Sequence, residues 1–256
     1  MAPRSKSTWL VPAGLVTLSL VPAIAGTVRL SQLVSGVATT ADNARFVEAP
    51  LPVALHIVNA TAYSLLGAFL FSPGLRRRWP AWHRAVGRVL VGAGIAAALT
   101  GLWMAHFYAW PRYDGYAVYW MRLVVGTAMI VFLVRGVTAI LRRDVRTHEA
   151  MMMRAYALGL GAGTQVLTHI PYFVFPSIQG TLSRAICMGA GWAINYAVAE
   201  WVIWRATEKA VDKPARSGVI TGKAVLRRFP DGRNPFPAPR TRRDERPLEA
   251  RLGQRQ

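Results

Sequence analysis

Six runs of mostly apolar residues, each close to twenty long, constrain this chain more than any motif does. A helix of about 20 apolar residues crosses a hydrocarbon core roughly 30 Å thick. In that solvent each backbone polar group must be satisfied within its own segment, so helices are the expected form. The runs lie near 9–29, 51–72, 88–107, 117–140, 152–175 and 183–204. Their ends carry Trp9, Trp110, Tyr116, Trp120, Trp201 and Trp204, rings suited to headgroup depth. The expected fold is all-α: a polytopic transmembrane bundle of about six spans over residues 9–205. A short cytoplasmic N-terminus (1–8) precedes it and a disordered basic tail (206–256) follows.

Charge sets the expected orientation. Arg4, Lys6, Arg76, Arg77, Arg78, Arg84, Arg88, Arg135, Arg142, Arg143, Arg146 and Arg154 fall on one side of the six runs. Only Arg29, Arg45, Arg112, Arg122 and Arg184 fall on the other. Basic residues gather on the cytoplasmic side, so both termini are expected there, in a bacterial inner membrane. RRRWPAWHRAVGR (76–88) then reads as a cytoplasmic turn held at the inner leaflet. A cleavable signal peptide ending at Ala25 is the competing reading of the first run, and it leaves the remaining topology unchanged. From Arg205 onward fourteen basic and six acidic residues are mixed with proline, a composition too poor in apolar surface to offset its ordering entropy. The net charge is +19. Because the basic residues flank apolar runs, anionic lipid headgroups rather than nucleic acid are the expected partner. The single cysteine, Cys187, excludes an internal disulfide and a thiolate metal cluster.

The histidines form two groups by depth. At 1.5 Å per residue, His56 and His169 lie roughly 8 and roughly 10 Å below the outer ends of their spans. Asn59 and Gln165 share their helix faces, and Arg122 enters the fourth span at a similar level. An ionisable group inside a membrane costs at least ~2.5 kcal/mol unless it finds a partner or water, so these side chains are expected to converge on one outer cavity. His56 and His169 could ligate one b-type haem there, with quinone as a possible electron partner. The plainer reading is interhelical hydrogen bonding. The inner group comprises His83, Arg84 and Arg88, with His148 and Arg154. Glu200, the only acid well inside a predicted span, has Arg154 as its simplest partner. No HExxH, P-loop, GxSxG or nucleophile–base constellation appears. GLGAG (159–163) lies inside a span, where small residues serve helix packing. Met151 to Met153 point in different directions round a helix and cannot form one ligand set.

LHIV (55–58), HRAVGR (83–88) and HEAMMMRAYAL (148–158) together resemble the DUF2306 family of predicted bacterial membrane proteins. The resemblance spans residues 8 to 205 and rests on His56, His83, Arg84, Gly87, Arg88, His148, Met152, Arg154 and Tyr156. It implies a fold and topology rather than a reaction. A looser likeness to b561-type diheme cytochromes fails on spacing. His83 and His106 are 23 residues apart on one span, too far for two haems stacked within the core. Three functions stay open: a redox protein with one outer haem, a binding or transport protein with a polar outer cavity, and a non-catalytic structural or regulatory protein.

Overall fold

The computed structural model describes residues 9–217, and every regular element among them is helical. The expectations for residues 1–8 and for the tail beyond 217 lie outside the described residues. The chain divides into two units, Met1–Ala206 and Thr207–Gln256, and apart from the end of α10 all that follows concerns the first. The helices are α1 (Leu10–Ser35), α2 (Ala44–Glu48), α3 (Pro50–Leu70), α4 (Pro73–Arg78), α5 (Pro80–Phe107), α6 (Tyr116–Leu141), α7 (Val145–Gly159), α8 (Gly161–Thr168), α9 (Ile170–Val174) and α10 (Thr181–Ser217).

Five of them are long and apolar enough to cross a membrane: α1, α3, α5, α6 and α10 through Lys209. The run expected as a fifth span, 152–175, is instead divided among α7, α8 and α9. Its sequence explains the breaks. Gly159, Gly161 and Gly163 each weaken a helix by about 1 kcal/mol relative to alanine. Pro171, in the first turn of α9, supplies no N–H to continue the ladder from α8.

The arginine-rich stretch 76–88 also differs from a simple turn. Ser72 caps α4 by accepting from the Leu75 N–H at 3.4 Å, and Pro73 and Pro80 start α4 and α5. HRAVGR therefore forms the opening turns of α5, eight residues before the expected start of that span. Proline at a helix start loses nothing, because its missing N–H has no intrahelical partner there anyway.

Chain ends of helices are set locally. Gly36, at φ 69°, ends α1 in the left-handed conformation and returns its N–H to Gln32. Asp144 caps α7, accepting from the Thr147 N–H at 3.0 Å.

Small residues let the helices meet closely. Gly94 and Gly159 leave room for the Tyr63 ring, and Gly67 for Tyr156. The two tyrosines sit 5.7 Å apart between ring centres, in a core that includes Leu90, Met129 and Leu133. Tyr156 satisfies its hydroxyl by donating to the Ser64 carbonyl at 2.6 Å, as a phenol in an apolar interior requires. A Cβ on Gly163 would collide with the carbonyl oxygen of Leu18. Pro22, inside α1, has no N–H for that carbonyl, so the Gly163 backbone covers a group left open by proline. Large apolar side chains such as Val28, Leu55, Val124, Phe173, Ile186 and Val198 point outward, as lipid contact demands.

Contacts define two ends of the bundle. At one, Tyr108 donates to the Ala49 carbonyl and packs edge-on against Phe46, and Asp114 meets Arg184. At the other, Arg76 of α4 pairs with Glu149 of α7.

Candidate functional site

The Asp114 end holds the densest polar arrangement among the described residues. Asp114 follows Tyr113, whose φ of 69° is unusual for a side chain other than glycine and turns the connector sharply between α5 and α6. The Asp114 side chain is only 1% exposed. Its Oδ1 accepts from Arg184 Nε at 2.9 Å, and its Oδ2 lies 2.6 Å from Arg122 Nη2. The second contact is close but not directed as a hydrogen bond, so Arg122 acts there through its charge. One carboxylate thus ties α6 and α10 to the connector and leaves the trio with one positive charge in excess.

Arg184 continues the chain of contacts. Its Nη1 lies 3.3 Å from His169 Nε2. His169 Nδ1 is 2.7 Å from the Gln165 carbonyl, which can only accept. The proton therefore sits on Nδ1, and Nε2 presents its lone pair to the guanidinium. Gln165 in turn donates to the Met188 carbonyl at 3.1 Å. Gln165, His169 and Arg184 lie on the wall of a cleft of about 640 Å³. The rest of its lining is apolar, including Val21, Ile170, Phe173, Val174 and Met188.

Nearby charges belong to the same end. The guanidinium groups of Arg29 and Arg45 lie 4.7 and 4.6 Å from the centre of the Phe46 ring. Partial burial, with the Arg29 charge second, pulls Arg45 below its ordinary pKa. Burial likewise raises that of Tyr108.

The expected outer group is divided. His56 lines a different cleft, of about 120 Å³, with Ser19, Pro22, Thr61, Ser64, Gly159 and Gly163 among its walls. Its Nδ1 lies 2.9 Å from the Ala97 carbonyl and 3.3 Å from Thr100 Oγ1. Asn59 donates back to Leu55 of its own helix at 2.8 Å. Arg122 reaches His169 only through Asp114 and Arg184. Gln165 and His169 are the two expected residues that share a wall. A haem held between His56 and His169 finds no common pocket, and the Nε2 it would need on His169 faces a guanidinium.

The inner group is distributed over α5, α7 and α10. His83, Arg84 and Arg88 occupy the first turns of α5. His148 Nδ1 donates to the Gly136 carbonyl at 2.9 Å. Arg154 makes a two-pronged contact with Glu200, Nε to Oε1 at 2.5 Å and Nη2 to Oε2 at 2.8 Å. Further polar links join the broken segment to α10. Thr164 donates to Asn195 Oδ1 at 2.6 Å, Asn195 to the Ala157 carbonyl at 3.2 Å, and Thr168 to the Cys187 carbonyl at 2.8 Å.

Asp114, Arg184, Thr164 and Asn195 are the residues that sequence reasoning passes over. For Asp114 a signal existed. It is the only acid between Glu48 and Asp144, in a chain with arginines at 112, 122 and 184. Among the described residues no cluster of three or more His, Cys, Asp or Glu side chains forms a potential metal site.

The family described as predicted membrane protein (DUF2306) matches residues 53–203, from α3 through most of α10. No curated protein and no solved structure matches the chain. With that match over more than half its length, and five helices fit to span a bilayer, the chain belongs to the DUF2306 family of predicted membrane proteins.

Proposed function

We propose that this protein binds an amphipathic anion within the bilayer, its headgroup at Arg184 and its apolar part along Val21, Ile170, Phe173 and Val174. The observation that carries this reading is the place of Arg184. It stands on the wall of an apolar cleft, oriented by Asp114 on one side and His169 on the other. The cleft's lining is mostly apolar with a few placed polar groups, as in binding sites, although the depression is shallow and open toward the side that Ile170, Phe173 and Val174 face. The excess positive charge of the Arg122–Asp114–Arg184 trio favours an anionic head, and Gln165 and His169 contribute the polar edge. In this reading the arginine-rich end, with Arg76, Arg84, Arg88 and Arg146, faces the cytoplasm and anionic lipid headgroups.

The test is mass spectrometry of full-length protein released gently from membranes, comparing wild type with Arg184→Gln and with Arg84→Gln at the opposite end. An amphipathic acid should accompany wild type and Arg84→Gln and be lost from Arg184→Gln. Equal occupancy in all three would remove the proposal.

A further inference from the structure

The smaller cleft has a chemistry of its own. His56 Nδ1 faces the Ala97 carbonyl at 2.9 Å, and a carbonyl only accepts, so Nδ1 carries the ring proton. Nε2 is left with its lone pair, and none of the described residues makes a hydrogen bond to it. Two hydroxyls on the same walls have already used their single proton. Ser19 donates to the Leu15 carbonyl at 2.9 Å, and Ser64 to the Thr61 carbonyl at 3.3 Å. Their oxygens keep accepting capacity. The cleft therefore presents acceptors from three groups on two helices, α1 and α3, with the Thr61 hydroxyl able to donate or accept, and no carboxylate or cation among its lining residues.

The backbone around it is irregular. Pro22 interrupts the ladder of α1 on one side, and the α7–α8 break at Leu160 borders the other. Irregular backbone at membrane depth is tolerated where it is buried in protein or lines a wet cavity. A volume of about 120 Å³ is small, on the scale of a few molecules of water at about 30 Å³ each.

We infer that this cleft is a site for a small hydrogen-bond-donating molecule, water or ammonium, seated on Nε2 of His56 with Ser19 and Ser64 as further acceptors. Anions are poor occupants, because no cation lines the cleft and most of its polar atoms only accept. The site is distinct from the Arg184 cleft, which selects the opposite chemistry.

The test is solid-state NMR of full-length, ¹⁵N-histidine-labelled protein in lipid bilayers, with His56→Gln identifying the His56 signals. Magnetisation transfer from water protons to His56 Nε2 is the result expected if water is the occupant. If ammonium is, adding ammonium chloride should shift Nε2, while sodium chloride should not. Ala60→Phe, on the same wall, should abolish either signal and leave the Nδ1 bond to Ala97 in place. The wild-type measurement stands by itself if that variant does not fold. A His56 Nε2 that receives no water transfer and does not respond to ammonium chloride would overturn the inference.

Discussion

Gly163 packs its backbone directly on the carbonyl oxygen of Leu18, the carbonyl that Pro22 leaves without a helical donor. Two local weaknesses, a proline in α1 and a glycine in the broken segment, thus meet and answer one another. An exposed carbonyl in hydrocarbon is costly, and a Cα–H contact with no side chain in the way lessens that cost.

Gly163→Val should therefore force α1 and α8 apart. Overpacking of this kind costs about 1–3 kcal/mol. The midpoint of heat-induced loss of the monodisperse peak in detergent should fall relative to wild type. Gly14→Val, at a position with nothing within 4 Å, should leave it nearly unchanged.

Asp114→Asn should be more damaging than removal of either arginine. It strips one carboxylate from two guanidinium groups, each about a quarter exposed or less. Breaking a buried pair costs about 3–5 kcal/mol, and the partial exposure of the arginines lowers the expectation to about 2–4. The double variant Asp114→Asn with Arg184→Gln should recover part of the loss. Thermal stability across that cycle measures it, and strictly additive losses would contradict the coupling.

Arg154 and Glu200 should behave as one unit. Arg154→Leu leaves an unpaired carboxylate and Glu200→Leu an unpaired guanidinium. Removing both together should cost less than the two single losses added. The coupling expected is about 1–2 kcal/mol, because both side chains keep some exposure. A double-mutant cycle on unfolding in mixed micelles reads it directly.

The Asp144 cap gives a pH dependence with a definite sign. Hydrogen bonds from Thr147 hold its carboxyl below the usual aspartate range. Its folded pKa is depressed, so its contribution is present above the unfolded pKa and is lost as pH falls through the folded value. Amide exchange in the first turn of α7 should accelerate on that acid limb. In Asp144→Asn this titration should be absent.

Protein purified from haem-replete cells should show no Soret band, since His56 and His169 line separate clefts. A Soret band abolished by His56→Ala would contradict that geometry.

What was legible in the sequence follows the period and spacing of apolar residues. α1, α3, α6 and α10 begin within two residues of the expected spans, because long apolar runs and flanking aromatics fix where a helix enters lipid. α5 begins earlier than its apolar run because Pro80 starts a helix regardless of the charges that follow. The run 152–175 is apolar enough to suggest one span, but hydropathy does not register the glycine breaks that divide it. The site was harder to read. Depth along a helix places His56 and His169 at similar levels, but depth carries no information about azimuth, and they face different walls. Asp114 sits in a connector, where apolar periodicity has nothing to say. Its role emerges only when Arg122 and Arg184 come from helices far apart in the chain.

The seam between the broken segment and α10 has a consequence for biogenesis. A nascent chain that has emitted residues 145–174 still owes partners to Arg154, Thr164, Gln165, Thr168 and His169, and all of them arrive only with the last helix. Until α10 leaves the ribosome, that segment carries open polar groups that lipid will not accept. A chain truncated before Thr181 should therefore be held less stably in the membrane than the full chain, and a pulse-chase of the two measures the difference.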